Sequence, residues 1–130
     1  MDSFSDWVTL VASLCVVGMA VFQVLLAAGY PYGAAAFGGG TAVLPTRLRI
    51  ASAISATLFC GALYVVLAEG GLFGAGGRTD FVHVATWIFV AIFALSAVEN
   101  SASRSRWERH FMAPLALLLT SCCVLLALLR

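Results

Sequence analysis

Hydrophobic residues run through most of the chain in four long stretches, and polar residues gather in the segments between them. The stretches cover residues 7–29, 50–69, 81–98 and 112–129. An α-helix rises about 1.5 Å per residue, so about 20 apolar residues cross the roughly 30 Å hydrocarbon layer of a bilayer. The pattern therefore predicts four transmembrane helices.

Charged residues lie at the ends of these stretches. The boundary charges are Asp6, Glu69, Asp80, Glu99 and Arg130. A charge in the hydrocarbon layer is costly, whereas headgroups and water solvate a charge at the end of a helix. The pattern predicts that these five side chains are solvated at the membrane surfaces. It provides no paired acids in mid-membrane and no Ser-His-Asp set in one layer, which argues against a carboxylate-driven antiporter and a membrane hydrolase.

The composition supports an integral membrane protein of one domain. Hydrophobic residues make up 62% of the 130-residue chain and charged residues 10%, whereas soluble domains average about 45–50% and about 25%. Four helices with connections of about 10 to 20 residues use the whole of residues 1–130, so we expect an all-α four-helix bundle. The net charge of +1 creates no field that would attract nucleic acid.

The basic residues are distributed unequally among the connections. The first connection carries Arg47 and Arg49 and the third Arg104, Arg106 and Arg109, while the second has Arg78 and the C-terminus Arg130. Arg favours the cytoplasmic side, so the first and third connections are predicted inside and both termini outside. All seven basic residues are Arg, and with the many Ala and Gly residues this indicates a GC-rich bacterial genome. We therefore expect a multi-pass protein of a bacterial inner membrane.

Small residues crowd the second stretch, and leucines dominate the fourth. The small residues are Ala51, Ser52, Ala53, Ser55, Ala56, Thr57, Cys60, Gly61 and Ala62. Small side chains let helix backbones approach closely in a bilayer, so the second helix is expected at the bundle centre or at the interface of a homo-oligomer. The bulky leucines of residues 115–119 and 125–129 predict that the fourth helix is peripheral and faces lipid.

Five side chains within the apolar stretches are candidates for binding a ligand between the helices. They are Gln23, Tyr64, His83, Trp87 and Ser96. Side chains four residues apart share a face of a helix, so His83 and Trp87 are expected side by side near the outer end of the third helix. As an alternative, each of the five can bond to a neighbouring helix, and a histidine here can act as a proton-linked switch.

The first connection contains three consecutive glycines before two arginines. Gly38, Gly39 and Gly40 can direct several backbone N–H groups toward one anion, and Arg47 and Arg49 would supply charge. A lipid phosphate or an anionic substrate would fit such a nest. Alternatively, the glycines form a tight re-entrant turn while the arginines anchor the helix end. No Gly-Lys-Ser/Thr follows, so the segment is not a phosphate-binding P-loop.

The third connection carries a second basic patch. Arg106 and Arg109 lie within about one helical turn of each other, beside Trp107. Such a patch attracts anionic headgroups by about 1 kcal/mol per charge near a membrane surface. We further expect Glu99 and Asn100, at the end of the third helix, to pair with Arg47, Arg49 or Arg104 and to latch the two inside connections together.

The four cysteines come to a similar depth when consecutive helices run in opposite directions. Cys15, Cys60, Cys122 and Cys123 lie roughly 10–14 Å below the outer surface at about 1.5 Å per residue. Together with His83 they are candidates for a thiophilic-metal or redox site. Adjacent helical residues point about 100° apart, no Cys-x-x-Cys occurs, and Cys is a common apolar filler. The identity of any cofactor is left open.

Several short motifs extend from the first connection to the third. They are Gly29-Tyr-Pro-Tyr-Gly33, Gly38-Gly39, Leu44-Pro-Thr-Arg-Leu-Arg49, Asn100, Ser103-Arg-Ser105 and Glu108-Arg109. In this combination the chain resembles a group of small four-helix bacterial membrane proteins of uncharacterised function, over nearly its whole length. The resemblance implies a four-helix topology in which the inside connections act as a unit. It implies no activity and assigns no functional residue.

These observations favour a non-enzymatic bundle that binds or passes a small molecule or a lipid between its helices, as a homo-oligomer. Two alternatives stay open. One is a membrane redox or thiophilic-metal protein that uses the cysteines, and the other is a structural accessory subunit of a membrane complex. The expected partners are membrane lipids, a second copy of the chain and a small molecule. No catalytic residue is identified.

Overall fold

The computed structural model describes residues 3–33, 36, 39–40 and 42–129. In these residues the chain forms four α-helices and no strand: α1 (Ser3–Ala27), α2 (Thr46–Glu69), α3 (Asp80–Ser101) and α4 (Ala113–Leu129). Each is long and apolar enough to cross a membrane, α4 together with the helical turn before it. The predicted all-α bundle of four helices is confirmed.

The helix ends lie within a few residues of the hydrophobic stretches. α1 begins at Ser3 instead of residue 7, and α2 at Thr46 instead of residue 50. Hydropathy marks the part of a helix inside the hydrocarbon, whereas helical hydrogen bonding continues into the polar flanks. α3 begins with a side-chain cap, since the hydroxyl of Thr79 accepts a hydrogen bond from the Val82 N–H at 3.2 Å.

The helices pack as two hairpins that close into one bundle. α1 packs along α2 and α3 along α4, while contacts of α1 with α4 and of α2 with α3 join the hairpins. The central core receives side chains from all four helices, including Val16, Ala62, Phe93, Leu119 and Leu126. Consecutive helices joined by short connections are the usual route to such an up-and-down bundle.

The two ends of the bundle carry different groups. We call the end with the start of α1, the end of α2, the start of α3 and the end of α4 the termini end. The opposite end, called the arginine end, holds Arg47, Arg49, Arg104, Arg106 and Arg109. Which end faces the cytoplasm stays a prediction of the arginine distribution.

The expectation that α4 is the peripheral helix is wrong, although Leu117, Leu118 and Leu128 are exposed on its outer side. Within the apolar membrane-spanning part, 44% of the α4 segment is buried inside the protein, compared with 28% for α2 and 17% for α1 and for α3. Leu119, Cys122, Cys123 and Leu126 are all buried in the central core. Lipid chains and a membrane-protein core are equally apolar, so a leucine-rich composition does not distinguish the two environments.

The small residues of α2 lie on more than one side of the helix. Ser52 and Ala56 are buried within the bundle, whereas Ala53, Thr57 and Gly61 are exposed at intervals of four residues. The buried pair permits close packing inside the bundle. The exposed three form a face of small side chains on the outside, and association of copies through it stays a prediction.

The segment before α4 is organised by serine hydroxyls. The Ser105 hydroxyl accepts a hydrogen bond from the Glu108 N–H at 3.3 Å, and the Ser103 hydroxyl donates to Glu108 Oε1 at 2.6 Å. Ser105 and Glu108 have the spacing of a capping box, which stabilises a helix start. A wider π-helical turn, Glu108–Met112, follows and precedes Pro114, whose missing N–H interrupts regular helical bonding.

Candidate functional site

A cavity of about 550 Å³ lies among the helices toward the arginine end. Its apolar part is lined by four phenyl rings: Phe22 of α1, Phe59 of α2, and Phe89 and Phe93 of α3. The Phe93 ring stacks with that of Phe59 at a centroid distance of 6.0 Å and with that of Phe89 at 5.7 Å. Ligand sites in proteins commonly enclose about 300–1,000 Å³ and have mostly apolar walls, so both size and lining fit a bound molecule.

Polar and charged groups line the cavity at its arginine end. They are Glu99, Asn100, Ser103, Arg104 and Glu108. Glu99 and Arg104 are exposed, so this side of the cavity is its mouth. The mouth therefore combines both signs of charge with amide and hydroxyl groups, while the interior is mostly apolar and contains the four phenyl rings.

Two of the predicted ligand-binding residues, Gln23 and Ser96, line this cavity. The Gln23 side-chain oxygen Oε1 is buried and has no hydrogen-bond partner among the described residues. Burying a carbonyl oxygen without a hydrogen bond costs free energy, so such atoms usually have a partner. Gln23 thus forms part of the cavity wall, and its side-chain oxygen is buried within that wall.

The other three predicted residues lie elsewhere. Tyr64 is half exposed on α2, and its ring stacks on that of Phe73 at a centroid distance of 5.7 Å. His83 and Trp87 lie together near the termini end, as their spacing predicts, with the Trp87 indole Nε1 3.3 Å from His83 Nε2. The structure thus divides the five residues between the cavity, the outside of α2 and the termini end.

Glu69 completes a second polar cluster with His83 and Trp87. Its carboxylate oxygen Oε2 lies 2.9 Å from His83 Nδ1. Glu69 does lie at the end of α2, but its side chain is fully buried, with 0% exposed. The expectation that this carboxylate is solvated at the membrane surface is therefore wrong. We call these three residues the Glu69–His83–Trp87 cluster.

Sequence reasoning did not identify Glu69 or the four phenyl rings as site residues. For Glu69 a signal was available: it ends α2, His83 lies in the first turns of α3, and a helical hairpin brings two such positions side by side. Phenylalanines in a hydrophobic stretch carry no comparable signal, because lipid, core and cavity all accept them.

The residues of the predicted anion nest are engaged in other ways. Gly38 lies outside the described residues. The Gly39 N–H donates to the Ala36 carbonyl at 2.8 Å, so it does not point freely toward an anion. Arg49 Nε donates to the Ala27 carbonyl at 2.9 Å, while Gly40 and Arg47 are exposed. The Arg49 contact favours the alternative in which an arginine anchors a helix end.

The third connection presents its basic residues outward. Arg106 and Arg109 are exposed beside Trp107, which leaves both guanidinium groups accessible to headgroups, and their binding of lipid phosphate stays a prediction. Within the described chain, Glu99 forms no ion pair with the arginines. The expected latch between the two connections is not formed; Glu99 instead lines the cavity mouth with Arg104.

We expect Arg49→Ala to lower the free energy of unfolding by about 1 kcal/mol, because the last carbonyls of α1 lose a charged hydrogen-bond donor. Arg47→Ala is the matched control, because Arg47 is an exposed arginine two residues before Arg49 in α2. It should change stability by less than about 0.5 kcal/mol. Unfolding in detergent, followed by circular dichroism, measures both. Equal effects of the two substitutions would contradict the proposed anchoring role.

The cysteines do not assemble with His83. Cys15, Cys122 and Cys123 pack in the central core, whereas Cys60 is exposed on the outside of α2. In the part of the chain that the structure describes, no three His, Cys, Asp or Glu side chains are grouped as ligands for a metal ion. The geometry gives no support to a metal site that combines His83 with the cysteines.

The fold and the cavity together define the class of this protein: a four-helix bundle of membrane-spanning character with an aromatic cavity open toward one end. Comparison with protein-family models, with characterised proteins and with solved structures finds no match. The resemblance to small four-helix bacterial membrane proteins stays a prediction.

Proposed function

We propose that this protein binds a lipid or another small amphiphile in the cavity at the arginine end. The observation that carries the proposal is the division of the cavity into an apolar interior with four phenyl rings and a polar mouth. An amphiphile places its chain against the phenyl rings and its head among the polar groups of the mouth. This arrangement keeps each part of the ligand in a matching environment.

The charges at the mouth favour a zwitterionic or uncharged head. Arg104 can contact a phosphate, and Glu99 an amine, while the Ser103 hydroxyl already holds Glu108. A purely anionic head would meet both carboxylates, and like charges repel. Phosphatidylethanolamine carries a phosphate and an amine together, so it is the lipid class that this mouth suits.

Binding is better supported than passage through the bundle. Phe93 and Leu119 line the cavity, and the buried core continues beyond them toward the termini end with Val16 and Leu126. Close-packed side chains leave no continuous path for a ligand. A transport role would require this core to open, whereas a binding role requires no rearrangement.

The test compares two substitutions to phenylalanine on α3. Ser96 lines the cavity, so Ser96→Phe fills it, while Ala91 is exposed on the same helix and Ala91→Phe adds the same bulk on the outside. Native mass spectrometry of the purified protein with phosphatidylethanolamine and with phosphatidylglycerol measures bound lipid. We expect Ser96→Phe to weaken phosphatidylethanolamine binding by at least about tenfold, or 1.4 kcal/mol, and Ala91→Phe to leave it unchanged.

Two results would overturn the proposal. One is equal phosphatidylethanolamine binding by the wild type and Ser96→Phe. The other is equal loss with Ala91→Phe, which would place bound lipid on the outer surface of the bundle. Equal binding of phosphatidylglycerol and phosphatidylethanolamine to the cavity would contradict the assigned head group alone.

A further inference from the structure

We propose that the Glu69–His83–Trp87 cluster is a proton-binding site, in which a proton taken up on Nε2 of His83 releases the Trp87 indole. The cluster lies at the termini end, away from the cavity at the arginine end. It is independent of the proposed lipid binding, since none of its three side chains lines that cavity.

The hydrogen bonds define the tautomer of the histidine. An indole N–H is a donor only, so in the contact of 3.3 Å between Trp87 Nε1 and His83 Nε2 the imidazole nitrogen accepts. A neutral imidazole that accepts at Nε2 carries its proton on Nδ1. That Nδ1–H then donates to Glu69 Oε2 at 2.9 Å. Both ring nitrogens are therefore used in the neutral state.

A second proton changes one of these bonds and strengthens the other. In the imidazolium form both nitrogens are donors, so the Nε2–H and the indole N–H face each other with no acceptor between them. The Trp87 bond must break and the indole must turn away. At Nδ1 the bond to the Glu69 carboxylate becomes charge-assisted. The proton also neutralises a carboxylate that is fully buried.

The surroundings allow both proton entry and movement of the indole. The His83 side chain is 33% exposed, and Trp87 is 41% exposed, so neither is enclosed. The other charged residues described at this end are Asp6 on α1, Arg78 in the second connection and Asp80 in the first turn of α3. The described part of α4 adds no charge there. Glu69 is the buried charged residue that is in hydrogen-bond contact with His83.

Trp87 provides its own spectroscopic readout. The chain contains three tryptophans, and Trp7 and Trp107 are exposed, so Trp7→Phe with Trp107→Phe leaves Trp87 as the single emitter. In liposomes or nanodiscs, we expect the emission of this variant to change in one transition when the pH is lowered. The change reports the loss of the indole bond to His83.

Two further substitutions in that background identify the group that titrates. His83→Gln retains an amide that can donate to Glu69 and accept from Trp87, but it does not titrate, so the transition should disappear. His110 is the matched control, because it is the other histidine of the chain and is exposed at the arginine end. His110→Gln should leave the transition unchanged.

Glu69→Gln tests the carboxylate. Without it the imidazolium loses its charged partner at Nδ1, so Glu69→Gln should shift the transition relative to the variant that retains Glu69. Nitrogen-15 NMR of the wild-type protein, with labelled histidine, provides a measurement that needs no substitution. It should show a proton on Nδ1 alone at high pH and on both nitrogens at low pH.

The proposal is overturned by emission that does not change with pH, by a transition that persists in His83→Gln, or by a midpoint that Glu69→Gln leaves in place. A neutral His83 with its proton on Nε2 in the NMR spectrum would overturn it as well.

Discussion

Replacing His83 with alanine is expected to lower the free energy of unfolding by about 3 kcal/mol. The imidazole is a hydrogen-bond partner of the Glu69 carboxylate at 2.9 Å, and that carboxylate is fully buried. Removing a hydrogen-bond donor from a buried carboxylate is more costly than replacing both groups by apolar side chains, because the carboxylate stays buried without that bond. Chemical unfolding in bicelles or detergent, followed by circular dichroism, measures the effect.

The double variant Glu69→Leu with His83→Leu separates the charge from the volume. It replaces both polar groups by apolar side chains, so it should recover most of the stability that His83→Ala loses. His110→Ala, at an exposed position, is the control and should change stability by less than about 0.5 kcal/mol. A double variant as unstable as His83→Ala would show that packing, and not the buried carboxylate, sets the cost.

Gly70→Ala is expected to destabilise the bundle by about 2–3 kcal/mol, at the upper end of the cost of overpacking a core. A β-carbon at Gly70 would overlap the hydroxyl of Thr9 and would lie 2.7 Å from its methyl group and 3.0 Å from the Val66 carbonyl oxygen. Gly70 has an ordinary φ of −70°, so the cost arises from contact and not from backbone strain. The close approach joins the end of α2 to the first turns of α1.

A double-mutant cycle tests that explanation. Thr9→Ala removes both side-chain atoms that a β-carbon at Gly70 would meet first, so Thr9→Ala with Gly70→Ala should regain most of the loss. Gly61→Ala is the matched control on the same helix, because nothing lies within 4 Å of a β-carbon there. It should raise stability by up to about 1 kcal/mol through helix propensity. No rescue by Thr9→Ala would mean that the contact between Thr9 and position 70 does not set the cost.

The contact between His83 and Trp87 shows how far spacing within one helix can be used for prediction. Residues four apart lie on one face whatever the helix packs against, and the indole and imidazole do meet. The partner of His83 across the hairpin required the register of α2 against α3, which spacing within a helix does not contain. That register places His83 against one oxygen of the buried Glu69 carboxylate.

The cavity shows a similar limit. Gln23 and Ser96 were marked by their polarity within apolar stretches, and both line it. Tyr64 was marked for the same reason, but it lies on the outer face of α2 against Phe73. Polarity alone indicates that a side chain is unusual in a membrane helix, whereas the direction in which it points depends on the rotation of that helix in the bundle.

The sequence by itself determined the number of helices, their approximate ends and their capacity to cross a membrane. About 20 apolar residues are needed to cross a bilayer, and each hydrophobic stretch is about that long. Only the tertiary structure decided that α4 is the most buried helix, that Glu69 contacts His83 and that four phenyl rings line one cavity. The physical reason is that lipid chains and a protein interior are equally apolar. Hydrophobicity therefore identifies the segments inside the membrane, and only side-chain packing between helices selects which faces meet.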